Sequence, residues 1–369
     1  MKDGKPERIL VAGGGTGGHI FTGLAVVEAM RRTRPVEVLF VGTRRSLEKQ
    51  LLNREGVSLA FVDIEGISGK GLAGWLRFLW LAPWSIWQSF RLVRSFRPRL
   101  AIGLGGYSSG PVLWVASRMG VATLILEPNA VPGLANRWLK RCADAIAVAF
   151  EETRAHLGER GQVTGIPVRP EFFGVREVER PAGFFRVLLF GGSQGSHRLN
   201  QLWLEALPHL EKSWDSRRGI FQVVHQTGEK DYRWVKEAYD RVAFPHEVHA
   251  FIHRMAEEFS RANLIVCRSG AGTLGELCAA GRAALLVPFP FSADQHQKAN
   301  AEVLARKGAA MVAAEAELDG ARLAAWIVSA AADTPRIGRM EEAAAAMAER
   351  NADEKIARLA WQMIDRKAA

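Results

Sequence analysis

Two segments of this chain share one pattern, in which an apolar strand runs directly into a glycine-rich turn. Residues 9–19 read ILVAGGGTGGH, and residues 187–197 read VLLFGGSQGSH. Glycine at such a turn allows a tight passage from strand to helix, or a close approach of a ligand to the backbone. Each segment is typical of the first strand, turn and helix of a doubly wound α/β domain. The chain has 369 residues, of which 48% are hydrophobic, enough for two cores.

The rest of the chain alternates short apolar strands with stretches of helical length, which favours parallel sheets with right-handed crossovers. A helix is expected after His19, where Leu24, Val27 and Met30 recur at helical spacing. Residues 165–170, GIPVRP, predict the interdomain linker, and the chain is expected to be helical from residue 313 onward. The predicted strands are 9–12, 36–41, 100–104, 123–126, 145–148, 186–190, 221–225, 248–251, 264–266 and 284–287.

Residues 267–276, CRSGAGTLGE, read as a small-residue turn that opens into a helix. Its backbone N–H groups and helix dipole suit a diphosphate, and Glu276, one turn in, can accept hydrogen bonds from a ribose diol. Residues 294–300, DQHQKAN, offer several neutral polar side chains that suit a sugar: Gln295, His296, Gln297 and Asn300. Together these segments predict a site for a nucleoside-diphosphate sugar. The alternative is a capped helix followed by a polar surface helix.

The three cysteines, Cys142, Cys267 and Cys278, have no CxxC spacing, which argues against a disulfide framework and favours a reducing compartment. The N-terminus enters a strand with no apolar leader, so we expect no secretion.

The net charge of +10 is unevenly distributed, because no Asp or Glu lies between Glu65 and Glu127. Tryptophan beside arginine on an apolar stretch is typical of a membrane–water interface. Arg77 and Pro83 interrupt the run and disfavour a membrane-spanning helix. A docking patch and a buried helix with a basic exterior both remain open, and no nucleic-acid-binding module is visible. The stretch contains Lys70, Arg77, Arg91, Arg94, Arg97, Arg99 and Arg118, with Trp75, Trp80, Trp84 and Trp87 interleaved.

Six motifs, in this order along nearly the whole chain, resemble the MurG family of peptidoglycan N-acetylglucosaminyltransferases. Two of them depart slightly, with Pro128 where Gln is common and Ile166 where Asn is common. The motifs are GGGTGGH at 13–19, GLGGYSSG at 103–110, EPN at 127–129, GIPVR at 165–169, GGSQG at 191–195 and the segment 267–300.

This resemblance implies an α/β protein with the GT-B fold, two Rossmann-like doubly wound domains facing a central cleft. Residues 1–165 are expected to bind the acceptor and the membrane, and residues 166–340 to bind the UDP-sugar. Residues 341–369 are expected to form a helix that packs back on the first domain. The implied reaction moves N-acetylglucosamine from UDP-N-acetylglucosamine to undecaprenyl-diphospho-N-acetylmuramoyl-pentapeptide, with inversion, at the cytoplasmic face of the bacterial inner membrane.

The resemblance also assigns site residues. It implies that the backbone of Ile252 reads the uracil, that Glu276 binds the ribose and that Gln297 binds the sugar. Ser193 and Thr273 are implied for the diphosphate, and His19 for the catalytic base. The implied donor residues are Thr16, Gly17, Gly18, Asn129, Arg169, Ser193, Ile252, Ala271, Gly272, Thr273, Leu274, Gly275, Glu276 and Gln297. The implied acceptor residues are Gly13, Gly14, Gly15, Gly103, Gly105, Gly106 and Tyr107.

The chemistry of these residue types agrees with a glycosyl transfer. Histidine has a pKa suited to base catalysis near neutral pH, although a residue such as His19 can also serve only as a helix N-terminal residue bonded to backbone. Backbone N–H groups, a helix dipole and Arg169 can neutralise a departing diphosphate. There is no Asp-x-Asp pair for a divalent ion, so we expect neither a metal nor a cofactor. The expected partners are the UDP-sugar, the lipid-linked acceptor and an anionic membrane surface, not nucleic acid.

Two other classes of function fit part of the sequence. A nicotinamide-dependent oxidoreductase usually has an acidic residue at the end of its second strand, whereas residues 42–45 read GTRR and 225–228 read HQTG. Arg44 and Arg45 would suit a 2′-phosphate. A basic membrane-surface scaffold would leave the sugar-site residues without a role.

Overall fold

Every strand of the described chain lies in one of two parallel β-sheets. The structure is a computed structural model that describes residues 5–13, 17–43, 57–64, 71–180, 183–215 and 219–368, with backbone only for 17–19, 71–79 and 368. Two units divide the chain: unit 1 is Met1–Val168 with Asn351–Ala369, and unit 2 is Arg169–Arg350. The domain boundaries expected from the sequence are 165/166 and 340/341, whereas the units change at 168/169 and 350/351.

The strands are short and mostly buried, as in parallel sheets covered on both faces. They are β1 (Glu7–Ala12), β2 (Val36–Gly42), β3 (Ser58–Phe61), β4 (Leu100–Gly103), β5 (Ala122–Glu127), β6 (Ala145–Val148), β7 (Gly161–Val163), β8 (Phe184–Phe190), β9 (Ile220–Gln226), β10 (His246–His249), β11 (Leu264–Cys267), β12 (Ala284–Leu286) and β13 (Met311–Val312).

Helices connect most of the consecutive strands. They are α1 (Gly17–Arg31), α2 (Gly71–Phe96), α3 (Ser109–Arg118), α4 (Leu134–Leu139), α5 (Glu151–Leu157), α6 (His197–Ser213), α7 (Tyr232–Tyr239), α8 (Met255–Arg261), α9 (Ala271–Ala280), α10 (His296–Arg306), α11 (Gly320–Ala332), α12 (Thr334–Ala346) and α13 (Ala352–Ala368). Among the residues described, no helix is long and apolar enough to cross a membrane.

Unit 1 is built on a seven-stranded sheet in the order β3-β2-β1-β4-β5-β6-β7. Successive side chains of β1 point to opposite faces, so Ile9 and Val11 join one core while Leu10 and Ala12 join another. The first core is covered by α1 and α13, which explains why the last helix of the chain belongs to unit 1. The second core is covered by α3, with Val93 of α2.

Unit 2 is built on a six-stranded parallel sheet in the order β10-β9-β8-β11-β12-β13. Its main core contains Val187 and Leu189 of β8, the fully buried Trp203 of α6, and Ile337 and Met340 of α12. The apolar side chains of α12 are therefore satisfied inside unit 2, and the chain leaves this unit only after Arg350.

The strand order reverses between β1 and β4 in unit 1, and between β8 and β11 in unit 2. At these points Ala12 pairs with Gly103, and Phe190 pairs with Cys267. Ligands of open α/β sheets bind outside the carboxyl ends of the strands at such a reversal. In both units, the glycine-rich turns singled out from the sequence begin at these positions.

Several predicted elements need correction. Strands β3, β7 and β13 were missed, because they are edge strands of two to four residues whose weak patterns do not stand out. The strand predicted at 248–251 is β10, which ends at His249. Helix α1 begins at Gly17, before His19 and not after it, since the glycines adopt helical backbone.

Candidate functional site

The turn after β11 is joined to α10 by hydrogen bonds of Ser269. The buried Ser269 Oγ donates to the carbonyl oxygen of Gln297 over 2.7 Å, and Asn300 Nδ2 donates to the Ser269 carbonyl oxygen over 3.1 Å. The two sequence segments predicted to form one nucleotide-sugar site thus lie together at the switch point of unit 2. Ser269 and Asn300 are both fully buried, so their role is to hold the turn against α10.

The start of α9 presents free donors toward this switch point. Gly270 is the N-cap and provides no capping side chain, and the first turn contains no acidic residue. The first backbone bond of the helix is donated by Leu274 N–H to the Gly270 carbonyl oxygen, which leaves the N–H groups of residues 271–273 without helical acceptors. Such a helix start attracts an anion through its N–H groups and its dipole.

Glu276 lies one turn further along α9 and contacts the start of unit 2. Its Oε1 accepts a hydrogen bond from Arg169 Nη2 over 3.3 Å. Burial raises the pKa of the Glu276 carboxyl group, while the charge of Arg169 opposes that rise. Arg169 also forms an ion pair with Glu171 over 2.9 Å.

The glycine-rich turn after β8 is tied to the end of β9 and to Ile252 by one buried amide. Gln226 Nε2 donates to the Gly192 carbonyl oxygen over 3.0 Å, and Gln226 Oε1 accepts from the Ile252 N–H over 2.7 Å. Gly195 has a φ of +75° and leaves no room for a side chain, since a Cβ there would lie 1.9 Å from the Thr227 carbonyl oxygen. The exposed Ser193 is therefore displayed on a turn that packs closely against the neighbouring strand end.

Arg268 connects the same turn to the other side of the switch point. Its Nη2 donates to Ser196 Oγ over 2.8 Å, and its Nη1 donates to the Val287 carbonyl oxygen over 3.0 Å. It also forms an ion pair with Glu315. The guanidinium is almost fully buried, so this network fixes the turn after β8 against the turn after β11.

Gln297 lies in the first turn of α10, after two residues in the left-handed region. Asp294 and Gln295 have φ values of 49° and 54°, which non-glycine residues rarely adopt. Gln297 Oε1 accepts a hydrogen bond from Phe289 N–H over 3.0 Å, and its own N–H donates to Ser292 Oγ over 3.3 Å. With its oxygen engaged, the side-chain amide of Gln297 presents its NH2 group as the donor.

In unit 1, Leu104 is wedged between two glycines at the switch point. A Cβ on Gly13 would lie 2.6 Å from Leu104 Cβ, and a Cβ on Gly23 would lie 2.6 Å from Leu104 Cδ1. The turn after β1 is thereby held against the turn after β4. In the second turn, Gly105 and Gly106 have φ values of 89° and 76°.

The remaining predicted residues of unit 1 fall into three groups. Gly103 is buried at the end of β4, and Tyr107 is exposed. Gly14, Gly15 and Thr16 lie outside the described residues. Gly17, Gly18 and His19 belong to the first turn of α1, and the position of the His19 side chain is outside the description.

Asn129, at the end of β5, is held by a buried carboxylate. Glu127 Oε1 accepts from Asn129 N–H and Asn129 Nδ2, both over 3.0 Å. Its Oε2 accepts from Gly133 N–H over 2.9 Å and from Asn136 Nδ2 over 2.8 Å. Glu127 is only 2% exposed, and these four hydrogen bonds satisfy its buried carboxylate. The same bonds hold the turn that follows β5 in place.

Helix α2 exposes an aromatic face. Trp80, Trp84 and Trp87 recur at helical spacing and are 86%, 48% and 45% exposed, respectively. The rings of Trp84 and Trp87 are stacked with centroids 4.7 Å apart, and the Arg91 guanidinium lies 4.9 Å from the Trp87 ring. The opposite face carries Ser85, Ser89 and Val93, all buried. For the side chains described, these three tryptophans therefore lie on the exposed face of α2 and not in a core.

Four residues of these turns had no predicted role: Gln226, Arg268, Ser269 and Glu127. Each is a buried polar or charged residue directly at or after the end of a parallel strand. That position was readable from the sequence. The hydrogen-bond partners of Gln226, Arg268 and Ser269 are far along the chain and depend on the fold, whereas those of Glu127 follow it within nine residues.

Two sequence profiles match the chain. The glycosyltransferase family 28 N-terminal domain matches residues 9–148, and the glycosyltransferase family 28 C-terminal domain matches residues 186–356. The first match lies within unit 1. The second lies in unit 2 except for its last six residues, which belong to unit 1.

Two similar proteins match most of the length of this chain. A protein of Syntrophus aciditrophicus is 42% identical over 320 residues, 86% of this chain and 88% of the relative. A protein of Citrifermentans bemidjiense is 40% identical over 353 residues, 95% of this chain and 98% of the relative. Both are named UDP-N-acetylglucosamine--N-acetylmuramyl-(pentapeptide) pyrophosphoryl-undecaprenol N-acetylglucosamine transferase.

The crystal structure of Acinetobacter baumannii MurG superposes with a TM-score of 0.79 at 28% identity, covering 97% of this chain and all of that chain (100%). The predicted GT-B fold with two Rossmann-like domains is confirmed, as is the resemblance to MurG. This chain belongs to glycosyltransferase family 28.

Proposed function

We propose that unit 2 binds UDP-N-acetylglucosamine and that unit 1 binds the lipid-linked acceptor in the reaction for which the relatives are named. The chain is a UDP-N-acetylglucosamine-dependent glycosyltransferase. It transfers N-acetylglucosamine to undecaprenyl-diphospho-N-acetylmuramoyl-pentapeptide in peptidoglycan synthesis. The observation that carries the donor assignment is the Ser269 link between the start of α9 and Gln297 of α10.

The diphosphate of the donor binds at the start of α9. The uncapped N–H groups of residues 271–273, together with the hydroxyl groups of Thr273 and Ser193, supply donors to its oxygens. The absence of an acidic residue from this first turn favours the same assignment. Because these donors are fixed before the reaction, they stabilise the charge that develops as the diphosphate departs.

The nucleoside is held by Ile252 and Glu276. The Ile252 N–H is engaged by Gln226, so we assign its carbonyl oxygen to the N3–H of the uracil. Glu276 accepts hydrogen bonds from the ribose hydroxyls, for which an ionised carboxylate is the stronger acceptor. The donating NH2 group of Gln297 binds a sugar hydroxyl.

The acceptor diphosphate lies at the switch point of unit 1, on the turns that follow β1 and β4. The Leu104 contacts with Gly13 and the left-handed backbone of Gly105 and Gly106 support this assignment, because successive backbone N–H groups in such turns can bind an anion. His19, in the first turn of α1, acts as the general base. It removes the proton from the acceptor hydroxyl as this oxygen attacks the anomeric carbon from the face opposite the diphosphate, which inverts the configuration.

The aromatic face of α2 docks unit 1 on the cytoplasmic leaflet of the inner membrane. Tryptophan rings provide apolar area with a polar edge, and the arginines beside them meet anionic headgroups. Arg91, Arg94, Arg97 and Arg99 follow the exposed tryptophans within the acid-free stretch. A peripheral position of this kind would bring the acceptor turns to a substrate whose polyprenyl chain stays in the bilayer.

The decisive experiment is transfer of labelled N-acetylglucosamine from its UDP form to a lipid-linked muramoyl-pentapeptide. We expect a product that carries the label on the lipid, with release of UDP. Purified chain that binds UDP-N-acetylglucosamine but gives no labelled lipid would contradict the acceptor assignment. Stabilisation against heat by UDP-N-acetylglucosamine, and not by NADPH, tests the donor assignment separately.

A further inference from the structure

The turn that follows β12 carries two exposed phenylalanines. Phe289 is 40% exposed and Phe291 is 83% exposed. Their ring centroids lie 5.8 Å apart in an edge-to-face arrangement, one of the two geometries that aromatic pairs prefer. Pro290 between them and Ala293 beyond them are exposed as well. A run of exposed apolar residues is unfavourable in water unless a function requires it.

The backbone of this turn is held in one conformation. The Ser292 N–H donates to the Phe289 carbonyl oxygen over 3.2 Å, which closes a four-residue turn with Pro290 and Phe291 at its centre. Proline in the first central position fixes φ and is favoured in such turns. The buried Arg268 supports the base of the turn, since its Cζ lies 5.5 Å from the centroid of the Phe289 ring. The Phe291 ring is therefore presented to solvent from an ordered turn.

The same turn is bonded to the residue proposed to bind the donor sugar. The Phe289 N–H donates to Gln297 Oε1 over 3.0 Å, and the Gln297 N–H donates to Ser292 Oγ over 3.3 Å. Two residues of chain span at most about 7 Å, so the backbone of Phe291 is a short distance from the Gln297 amide. A ligand that extends beyond the donor sugar can reach the exposed ring.

The strand order puts this turn on one particular side of the donor sugar. Strand β11 separates β12 from β8, so the turn after β12 is farther from the switch point than the start of α9. Inversion requires the acceptor hydroxyl to attack from the side opposite the departing diphosphate. With the diphosphate at the start of α9 and the sugar at Gln297, the acceptor approaches from beyond the sugar, on the side of the turn after β12.

The acceptor has apolar groups that suit an aromatic ring. A muramoyl sugar differs from N-acetylglucosamine by a lactoyl ether, which carries a methyl group and the peptide. The faces of the pyranose ring also present C–H groups. A phenylalanine ring covers such groups with a large apolar area and has few rotatable bonds to immobilise.

We propose that Phe291 contacts the muramoyl group of the acceptor and contributes to its selection, with Phe289 as the ring that orients Phe291. This inference rests on the proposed function and adds a residue of unit 2 to acceptor recognition. It involves no contact with the nucleotide.

The test measures the kinetic constants for both substrates with a short-chain acceptor in water, where membrane binding plays no part. Phe291→Ser should raise the KM for the acceptor by about tenfold, the order expected when part of an aromatic ring loses its contact with a ligand. The KM for UDP-N-acetylglucosamine and the calorimetric affinity for UDP should stay at their wild-type values. An unchanged KM for the acceptor, or an equal rise in the KM for the donor, would overturn the proposal.

Two variants serve as matched controls. Phe291→Tyr keeps the ring and should retain a KM for the acceptor close to that of the wild type. Phe184→Ser removes an exposed phenylalanine from the first residue of β8, at the opposite edge of the same sheet, and should change no kinetic constant. Equal effects of Phe184→Ser and Phe291→Ser would reveal a general response to lost aromatic surface and contradict the proposal.

An exposed phenylalanine is also suited to contact with a membrane, and vesicle flotation separates the two roles. Phe291→Ser should bind anionic vesicles as tightly as the wild type. Reduced vesicle binding, with an unchanged KM for the short-chain acceptor, would assign the ring to the membrane and overturn the proposal. If the wild-type chain transfers no sugar to any muramoyl acceptor, the proposed function fails instead.

Discussion

The backbone N–H of Ile252 donates to the side-chain oxygen of Gln226 over 2.7 Å, and this bond connects two parts of the proposed donor site. The other end of the same amide donates to Gly192, in the turn assigned to the diphosphate. Gln226 is 2% exposed, so neither bond is easily replaced by water. One side chain thus sets the proposed uracil-reading position and the proposed diphosphate turn relative to each other.

Replacing Gln226 by Met keeps the length of the side chain and removes both bonds. We expect UDP affinity to fall by about tenfold, because each lost bond to a buried group costs ~1 kcal/mol or more. Calorimetric titration with UDP measures this. Gln162→Met, the same substitution at an exposed position of β7, is the control and should bind UDP like the wild type. Normal affinity in folded Gln226→Met would show that the amide does not organise the site.

Replacing Glu276 by Ala should weaken donor binding and leave acceptor affinity nearly unchanged. Loss of a charge-assisted hydrogen bond to a ribose hydroxyl is expected to cost about 1.5–3 kcal/mol of UDP binding free energy. The dissociation constant for UDP and the KM for the acceptor are measured in parallel. Unchanged UDP binding in a folded variant would refute the ribose assignment.

Replacing His19 by Ala should lower turnover by roughly 100-fold or more, since general-base catalysis contributes about that factor. UDP affinity should remain close to that of the wild type, because the base acts on the acceptor hydroxyl. Steady-state rates at saturating acceptor check the first point, and calorimetry checks the second. His156→Ala, at an exposed position of α5 in the same unit, is the control. Turnover near normal in His19→Ala would place the base elsewhere.

Replacing Trp80, Trp84 and Trp87 together by Ser should reduce binding to anionic vesicles and activity on the lipid-linked acceptor. Activity on a short-chain acceptor in water should survive, because the substituted side chains are exposed and lie outside the cores. Vesicle flotation with anionic and neutral lipids, at low and high salt, measures the binding. Equal binding of wild type and triple variant would rule out docking through this face.

The buried His225 predicts a loss of stability in acid. Its Nε2 bonds to Asn200 and its Nδ1 to Tyr239, and burial lowers its pKa from 6.5 to about 3. The unfolded chain takes up a proton near pH 6.5 while the folded chain does not until about pH 3, so this group's contribution to stability is lost as the pH falls through that window.

The slope of the unfolding free energy against pH, from urea titrations between pH 7 and pH 4, tests this. One proton of difference corresponds to ~1.4 kcal/mol per pH unit, and His225→Gln should remove about that much of the slope. His209→Gln, at an exposed position of α6, should leave the slope unchanged. A slope in His225→Gln equal to that of the wild type would mean that His225 is not neutral in the folded chain.

The sequence by itself determined the architecture and the family. Short apolar strands that mostly alternate with stretches of helical length favour parallel sheets, and both patterns are local and can be read without knowing the fold. The two glycine-rich turns after 9–12 and 187–190, predicted as the first strand–helix turns of two doubly wound domains, lie at the switch points of the two sheets. Motif order along the chain then indicated the glycosyltransferase family, which the profile matches confirmed.

The tertiary structure decided which side chains meet. The members of three pairs are far apart in the chain and come within hydrogen-bond distance only in the folded unit: Gln226 and Ile252, Arg268 and Ser196, and Arg169 and Glu276. Likewise, the tryptophans of α2 fit a buried or an exposed helix equally well by composition. The rotation of the helix about its axis decided that they are exposed, since it turns Ser85, Ser89 and Val93 inward. A helix buries only the face that packs on the protein and leaves the other face to solvent.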